Sequence, residues 1–195
     1  MSDSWENLYN KNKSEDEPGP DIFFRTFIEG VQPGRILLPA EGVARNAAFA
    51  VSMGWEVNVF DFSLNARRSA LEQARKKGIN IDYFEPDIEF HQLEEEMYDA
   101  IALLHVQFQP HNRAYIHKKL INSLKTGGFF IIEAYSRSRN PVSQVIHSYD
   151  LSHLQNDFKD LHIETLYRAA TDLSEEIADS ERPSVIRMVA LKQKM

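Results

Sequence analysis

The sequence predicts an α/β domain built on a mostly parallel sheet. Three observations predict it. From Arg35 onward, short apolar runs alternate with amphipathic segments; glycines punctuate the ends of those segments; and the final apolar run follows its predecessor with no helix between them. Strands that alternate with helices of roughly 10–15 residues fold as right-handed βαβ units, which lay the strands parallel. The helix-free approach to the last run predicts that this strand pairs antiparallel with its neighbour.

The elements follow in order. Ser4 to Asn10 reads as a short helix, residues 13–20 (Lys-Ser-Glu-Asp-Glu-Pro-Gly-Pro) as a polar loop, and Ile22 to Ile28 as a helix by its apolar spacing. Residues 1–30 thus form a helical appendage, and residues 31–195 form the main domain. Arg35-Ile36-Leu37-Leu38-Pro39 is the first strand, and Arg45 to Met53 a helix of small residues that Gly54 terminates. Glu56 to Phe60 is the second strand. Ser63 caps a helix from Leu64 to Lys77, which Gly78 stops. Asn80 to Phe84 and Tyr98 to Leu104 are the third and fourth strands. After the helix His111 to Leu124, a Thr126-Gly127-Gly128 turn leads into a fifth strand, Phe129 to Ala134. Leu151 to Phe158 is helical, and Leu161 to Tyr167 and Ser184 to Leu191 complete a set of seven strands.

Composition narrows the function. At 195 residues, 43% apolar and 11% aromatic, the chain can bury a proper core as one domain. The absence of cysteine excludes disulfides, thiolate zinc sites and cysteine nucleophiles, and fits a reducing, cytoplasmic setting. The net charge of -7 and the lack of a basic run beyond Ala74-Arg75-Lys76-Lys77 argue against nucleic acid as a partner. That basic stretch ends a helix, where cations suit the dipole. No run reaches the roughly 18 apolar residues of a membrane span, and Met1 to Glu17 has no apolar signal-peptide core. A small molecule is therefore the expected partner. No metal is expected from the seven histidines: His105, His111 and His117 stand six apart, unlike an i,i+4 chelating pair, and His147, His153 and His162 lack acidic-ligand spacing. Ser52, Ser63 and Ser136 lack the Gly-x-Ser-x-Gly elbow of a hydrolase.

Arg35 to Ser63 carries the most chemistry. A buried strand runs into the tight turn Pro39-Ala40-Glu41-Gly42, which opens a helix of small residues that includes Ala44, Ala47, Ala48 and Ala50. Small residues let a backbone approach a ligand, and a helix N-terminus offers free N–H groups. Asp61, ending the second strand about 20 residues on, can accept hydrogen bonds from both hydroxyls of a ribose. The plainer alternative is an ordinary βαβ unit whose acid caps a strand. The pattern is not the dinucleotide fingerprint, because only Gly42 stands where three glycines would cradle a pyrophosphate. The acidic Glu41 at the turn points the same way, toward an adenosine-type cofactor without phosphates.

Ile36-Leu37-Leu38-Pro39-Ala40-Glu41-Gly42-Val43-Ala44-Arg45-Asn46-Ala47, with Gly54-Trp55-Glu56-Val57 and Val59-Phe60-Asp61-Phe62-Ser63, resembles the class I S-adenosylmethionine-dependent methyltransferases, and most of all their tellurite-resistance and thiol-methyltransferase-like group. Leu124 to Tyr135, Pro110 with Arg113, and Ser184 to Ala190 resemble that group's fifth-strand motif, post-strand-four loop and final strand. The resemblance implies a Rossmann-like fold with helices on both faces of a seven-stranded sheet whose last strand is antiparallel. It implies S-adenosyl-L-methionine as cofactor. It places Pro39, Ala40, Glu41, Gly42, Arg45, Asn46 and Ser63 at the cofactor, Asp61 on the ribose, and Phe62 beside the adenine. Asp87 and Ile88 fall where the family contacts the adenine amine, although Asp87 can equally be a helix N-cap. His105 faces the cofactor's methionine end or lines the cleft as a polar residue. Residues 1–30 and the loop Ser136 to Tyr149 build the acceptor side, with the appendage as a lid.

Three positions depart from the family pattern: Leu38 stands where an acid is usual, and Ala40 and Ala44 stand where glycines are. Glu41 can supply the missing acid from three residues away. Ala40 is harmless at negative φ and strained at positive φ; the stiffness that Pro39 lends the turn favours negative φ at both alanines. The function implied is methyl transfer to a small-molecule acceptor such as a thiol or a chalcogen oxyanion, with no catalytic residue named. The alternative is a non-catalytic protein of the same fold that binds S-adenosylmethionine or S-adenosylhomocysteine.

Overall fold

The computed structural model describes residues 19–41, 45–60, 64–78, 81–83, 93–106, 108–136, 148–170 and 184–194. The chain divides into two compact units, residues 1–87 and 88–195.

In the first unit, α1 (Ile22–Glu29) is amphipathic, with Phe24 and Ile28 four residues apart on its buried face. Its first turn is capped by Asp21, whose side chain accepts the Phe24 N–H at 3.1 Å. α1 packs on α2 (Arg45–Ser52). Strands β1 (Arg35–Pro39) and β2 (Glu56–Phe60) are buried without alternation after their first residue, the polar Asn58 included, as strands covered on both faces are, and pair in parallel from Arg35 opposite Glu56 to Pro39 opposite Phe60. β2 pairs in turn with β3 (Asp82–Tyr83), also in parallel. Helix α3 (Leu64–Lys77) lies between them in sequence. Gly54 and Gly78 end α2 and α3 at φ +90° and +65°, the left-handed region that lets a helix stop without a Cβ clash.

In the second unit, β4 (Tyr98–Leu104) pairs in parallel with β5 (Leu124–Tyr135), β7 (Ser184–Leu191) lies antiparallel against β5, and β6 (His162–Ala170) lies antiparallel against β7. The last strand is thus antiparallel to both neighbours, as its helix-free approach predicted. Helix α4 (Pro110–Ser123) starts with proline in its first turn, where the missing N–H costs nothing, and buries Ile116, His117 and Leu120. Helix α5 (Leu151–Asp157) buries Leu154.

Most element bounds agree with the sequence reading to within a residue; the larger differences are in the sheet. Of the third strand the described residues show Asp82–Tyr83, Asn80 and Phe84 lying outside them, and β6 runs from His162 to Ala170 rather than from Leu161 to Tyr167. The expected turn at Thr126-Gly127-Gly128 is instead an irregularity inside β5: Tyr98 pairs with Leu124, while Ala100 pairs with Phe129. Gly127, at φ +84°, lets the extra residues bulge out. The expected helix Ser4 to Asn10 and the Ser63 cap lie outside the described residues. Among the described residues there are seven strands, and no helix is long and apolar enough to cross a membrane.

Candidate functional site

The turn after β1 is tied down by backbone and side chain together. The Ala40 N–H donates to the Phe60 carbonyl at 2.6 Å, extending the β1–β2 ladder by one residue. Ala40 itself adopts φ +53°. This corrects the expectation of negative φ there: the hydrogen bond to Phe60 holds the residue after Pro39 in the left-handed region, where an L side chain is strained. Leu38 is fully buried in β1 and belongs to the core.

Glu41 also departs from expectation. Its Oε1 accepts the N–H groups of Asn46, at 2.6 Å, and Ala47, at 3.1 Å, at the start of α2. Its Oε2 accepts from Asn46 Nδ2 at 3.2 Å, and Asn46 Oδ1 accepts the Asp21 N–H at 2.8 Å. The amides that the sequence reading left free for a ligand are therefore taken by the protein's own carboxylate, and Asn46 links the turn to the entry of α1. Burial raises the Glu41 pKa to about 7, even though the α2 amides, the Asn46 side chain and the Arg45 charge each pull it down.

Pro39, Ala40, Glu41, Arg45 and Asn46 thus come together at the end of β1 and the start of α2. Gly42, Ala44, Asp61, Phe62, Ser63, Asp87 and Ile88 lie outside the described residues.

In the second unit, His105 directly follows β4 at φ +59°, and its N–H donates to the Glu133 carbonyl at 2.6 Å. Its Nε2 lies 3.2 Å from Glu133 Oε1, and its ring lies 5.0 Å from that of Tyr135. Arg187 Nε donates to Glu133 Oε2. Glu133 and Arg187 are direct partners across β5 and β7, so strand register brings the charges together.

A second polar cluster joins α4, α5 and Tyr149, two residues before α5. Asp157 Oδ2 accepts from both Arg113 Nε, at 2.7 Å, and His117 Nδ1, at 2.9 Å. The side chains of Asp157 and His117 are fully buried. Desolvation disfavours the Asp157 carboxylate, but hydrogen bonds from His117 and Arg113 outweigh it and hold the pKa at about 2. Burial pushes the His117 pKa down against the pull of Asp157. His117 is therefore neutral, with its proton on Nδ1, and Nε2 is left as an acceptor 3.5 Å from the Tyr149 hydroxyl. Burial raises the Tyr149 pKa, so the hydroxyl keeps its proton, and the Phe108 backbone N–H donates to its oxygen. Tyr149 also pairs with Ser136 just beyond β5.

The sequence reading did not single out Glu133, Arg187, His117, Asp157 or Tyr149 as functional. A signal existed for the first two, since each is a charge within a strand otherwise buried and apolar, and such charges need partners.

The family model for a methyltransferase domain matches residues 39–132, a span that opens on the last residue of β1. No curated protein matches the chain. Among solved structures, TehB from Haemophilus influenzae aligns with TM-score 0.74 at 19% identity, over 95% of this chain and 66% of that one. A protein whose structure concerns the conversion of a disulfide bond into a thioacetal group during echinomycin biosynthesis aligns with TM-score 0.74 at 16% identity, over 99% and 92%. The 1,6-didemethyltoxoflavin-N1-methyltransferase of Burkholderia thailandensis, which holds 1,6-didemethyltoxoflavin and S-adenosylhomocysteine, aligns with TM-score 0.71 at 13% identity, over 99% and 87%. At these identities the likeness establishes the fold. It is the Rossmann-like methyltransferase fold, a mixed sheet with an antiparallel C-terminal strand.

Proposed function

We propose that this protein is an S-adenosylmethionine-dependent methyltransferase acting on a small-molecule acceptor of the thiol or chalcogen-oxyanion type. The observation that carries the reading is the match of residues 39–132 to the methyltransferase-domain family model. The turn supports the choice of cofactor. Glu41 already fills the α2 amides that a pyrophosphate would need, so a phosphate would have to displace a side chain that belongs to the turn. A cofactor without phosphates fits that turn and a dinucleotide does not.

When bound, the cofactor supplies an activated methyl group that passes to the acceptor's lone pair and leaves S-adenosylhomocysteine. The residues of the chain need then only bind, align and exclude water, so proximity supplies most of the acceleration. In this reading Pro39, Ala40, Glu41, Gly42, Arg45 and Asn46 form the cofactor turn. Asp61 takes the ribose hydroxyls with Ser63 close by at the cofactor, Phe62 flanks the adenine, Asp87 and Ile88 reach the adenine amine, and His105 faces the methionine end. Residues 1–30 cover the acceptor side.

The strained Ala40 and the buried Leu38 favour a second reading, a protein of this fold that binds the cofactor without turnover. Calorimetry with S-adenosylmethionine, followed by a screen for S-adenosylhomocysteine release with thiol and chalcogen-oxyanion acceptors, tests the proposal. Binding with turnover supports it, binding without turnover favours the second reading, and no binding refutes both.

A further inference from the structure

The contact between Arg113 and Asp157 is one-sided. A paired guanidinium and carboxylate ordinarily meet as two forks, with two parallel N–H···O bonds. Here only Nε of Arg113 engages Asp157, and it shares the same oxygen, Oδ2, with His117. The other oxygen, Oδ1, is buried and has no hydrogen-bond partner among the described residues. Arg113 is therefore turned so that its terminal edge, Nη1 and Nη2, points away from Asp157. Among the described residues that edge makes no hydrogen bond. The Arg113 side chain is 17% exposed while that of Asp157 is fully buried.

The anchor is stiff. Asp157 sits between Arg113 and His117, His117 is packed against Phe158 with ring centroids 4.8 Å apart, and Tyr149 lies beneath the guanidinium at 6.0 Å. Three side chains, Asp157 of α5, His117 of α4 and Tyr149 at the end of the post-β5 loop, thus fix the angle of one arginine. Arg113 lies in the first turns of α4, the helix that follows the carboxyl end of β4, and Tyr149 is bridged to Ser136 beyond the carboxyl end of β5. In sheets of this kind ligands bind outside the carboxyl ends of the strands. The local charges also balance: Asp157 is ionised, Arg113 is cationic and His117 is neutral. An incoming anion on the Nη edge would meet a forked donor already desolvated on one side and held in place.

The geometry points to Arg113 as the residue that selects the acceptor: its Nη1/Nη2 edge takes a carboxylate or similar oxyanion on the methyl acceptor in a bidentate pair, with Asp157, His117 and Tyr149 as positioning residues. This rests on the methyltransferase reading, and the test separates the two. The probes are 2-mercaptobenzoate, an anionic thiol, and benzenethiol, its neutral counterpart, titrated by calorimetry into the protein saturated with S-adenosylhomocysteine. Failure of S-adenosylhomocysteine itself to bind would count against the methyltransferase reading. With that complex formed, the wild type is expected to bind 2-mercaptobenzoate at least about tenfold more tightly than benzenethiol, the scale of one charge-assisted pair. Arg113→Lys keeps a cation for Asp157 but loses the planar fork, and should reduce the preference to about twofold or less while S-adenosylhomocysteine affinity is retained. Arg113→Gln, if it folds, should abolish it. A wild type without preference for the carboxylate, or a preference that survives Arg113→Lys, overturns the assignment.

Discussion

Replacing Ala40 with glycine should stabilise the protein, and the sign of the effect reads out the backbone of the turn. Ala40 sits at φ +53°, held there by its 2.6 Å hydrogen bond to the Phe60 carbonyl. An L residue in the left-handed region carries a cost of roughly 1–2 kcal/mol that glycine does not. Against that, glycine gains unfolded-state entropy worth roughly 0.5–1 kcal/mol. The partly buried methyl contributes less than the roughly 0.8 kcal/mol of a fully buried CH₂. The balance is a net gain of about 0.5 kcal/mol, or about 1–2 °C in melting temperature for a chain of this size. Urea unfolding of parent and Ala40→Gly, compared at equal m-value, measures it directly. If φ at residue 40 were negative, relief of strain would be absent and the variant would lose roughly 0.5–1 kcal/mol; that loss would refute the reasoning.

Two further outcomes follow from the described contacts. Glu41 has a folded pKa of about 7 against an ordinary 4.5, so between those values the folded state holds a proton that the unfolded state has released. Its contribution therefore falls as pH rises through that window, by about 3 kcal/mol at roughly 1.4 kcal/mol per unit. Glu41→Gln removes that titration, so its stability relative to the parent should rise between pH 4.5 and pH 8, and a pH-independent difference would count against a buried Glu41 carboxylate. Gly128→Ala would place its Cβ 2.9 Å from the Lys125 carbonyl oxygen and 3.0 Å from that of Asp99, two backbone atoms that cannot swing aside. It should cost about 1–3 kcal/mol by overpacking, measured as a lowered urea midpoint.

Much of the architecture was legible because it rests on local rules. The apolar run Arg35–Pro39 and its partner Glu56–Phe60 have the strands' own bounds, and Gly54 and Gly78 stop their helices where a Cβ would be strained. The glycines at 127 and 128 were legible as punctuation but not as a bulge, because the distinction lies in register against β4 and no local pattern encodes it. The φ of Ala40 was misjudged because Pro39 constrains its own φ and that of the residue before it, whereas the bond to Phe60 comes from a strand 20 residues on. Likewise, the cluster of Arg113, His117, Tyr149 and Asp157 joins residues up to 44 positions apart, a separation at which spacing carries no signal. Glu41 was read as a cofactor-facing acid for a related reason: a cap that reaches five and six residues ahead lies outside the usual N-cap spacing.

The central claim is that the turn from Pro39 to Glu41 serves a phosphate-free adenosine cofactor in a methyltransferase fold. Calorimetric titration of the purified chain with S-adenosylmethionine and, separately, with NAD tests it most directly. The account expects saturable one-to-one binding of S-adenosylmethionine, at least about tenfold tighter than any binding of NAD, because Glu41 already occupies the amides at the start of α2. NAD binding as tightly as S-adenosylmethionine, or better, would contradict it.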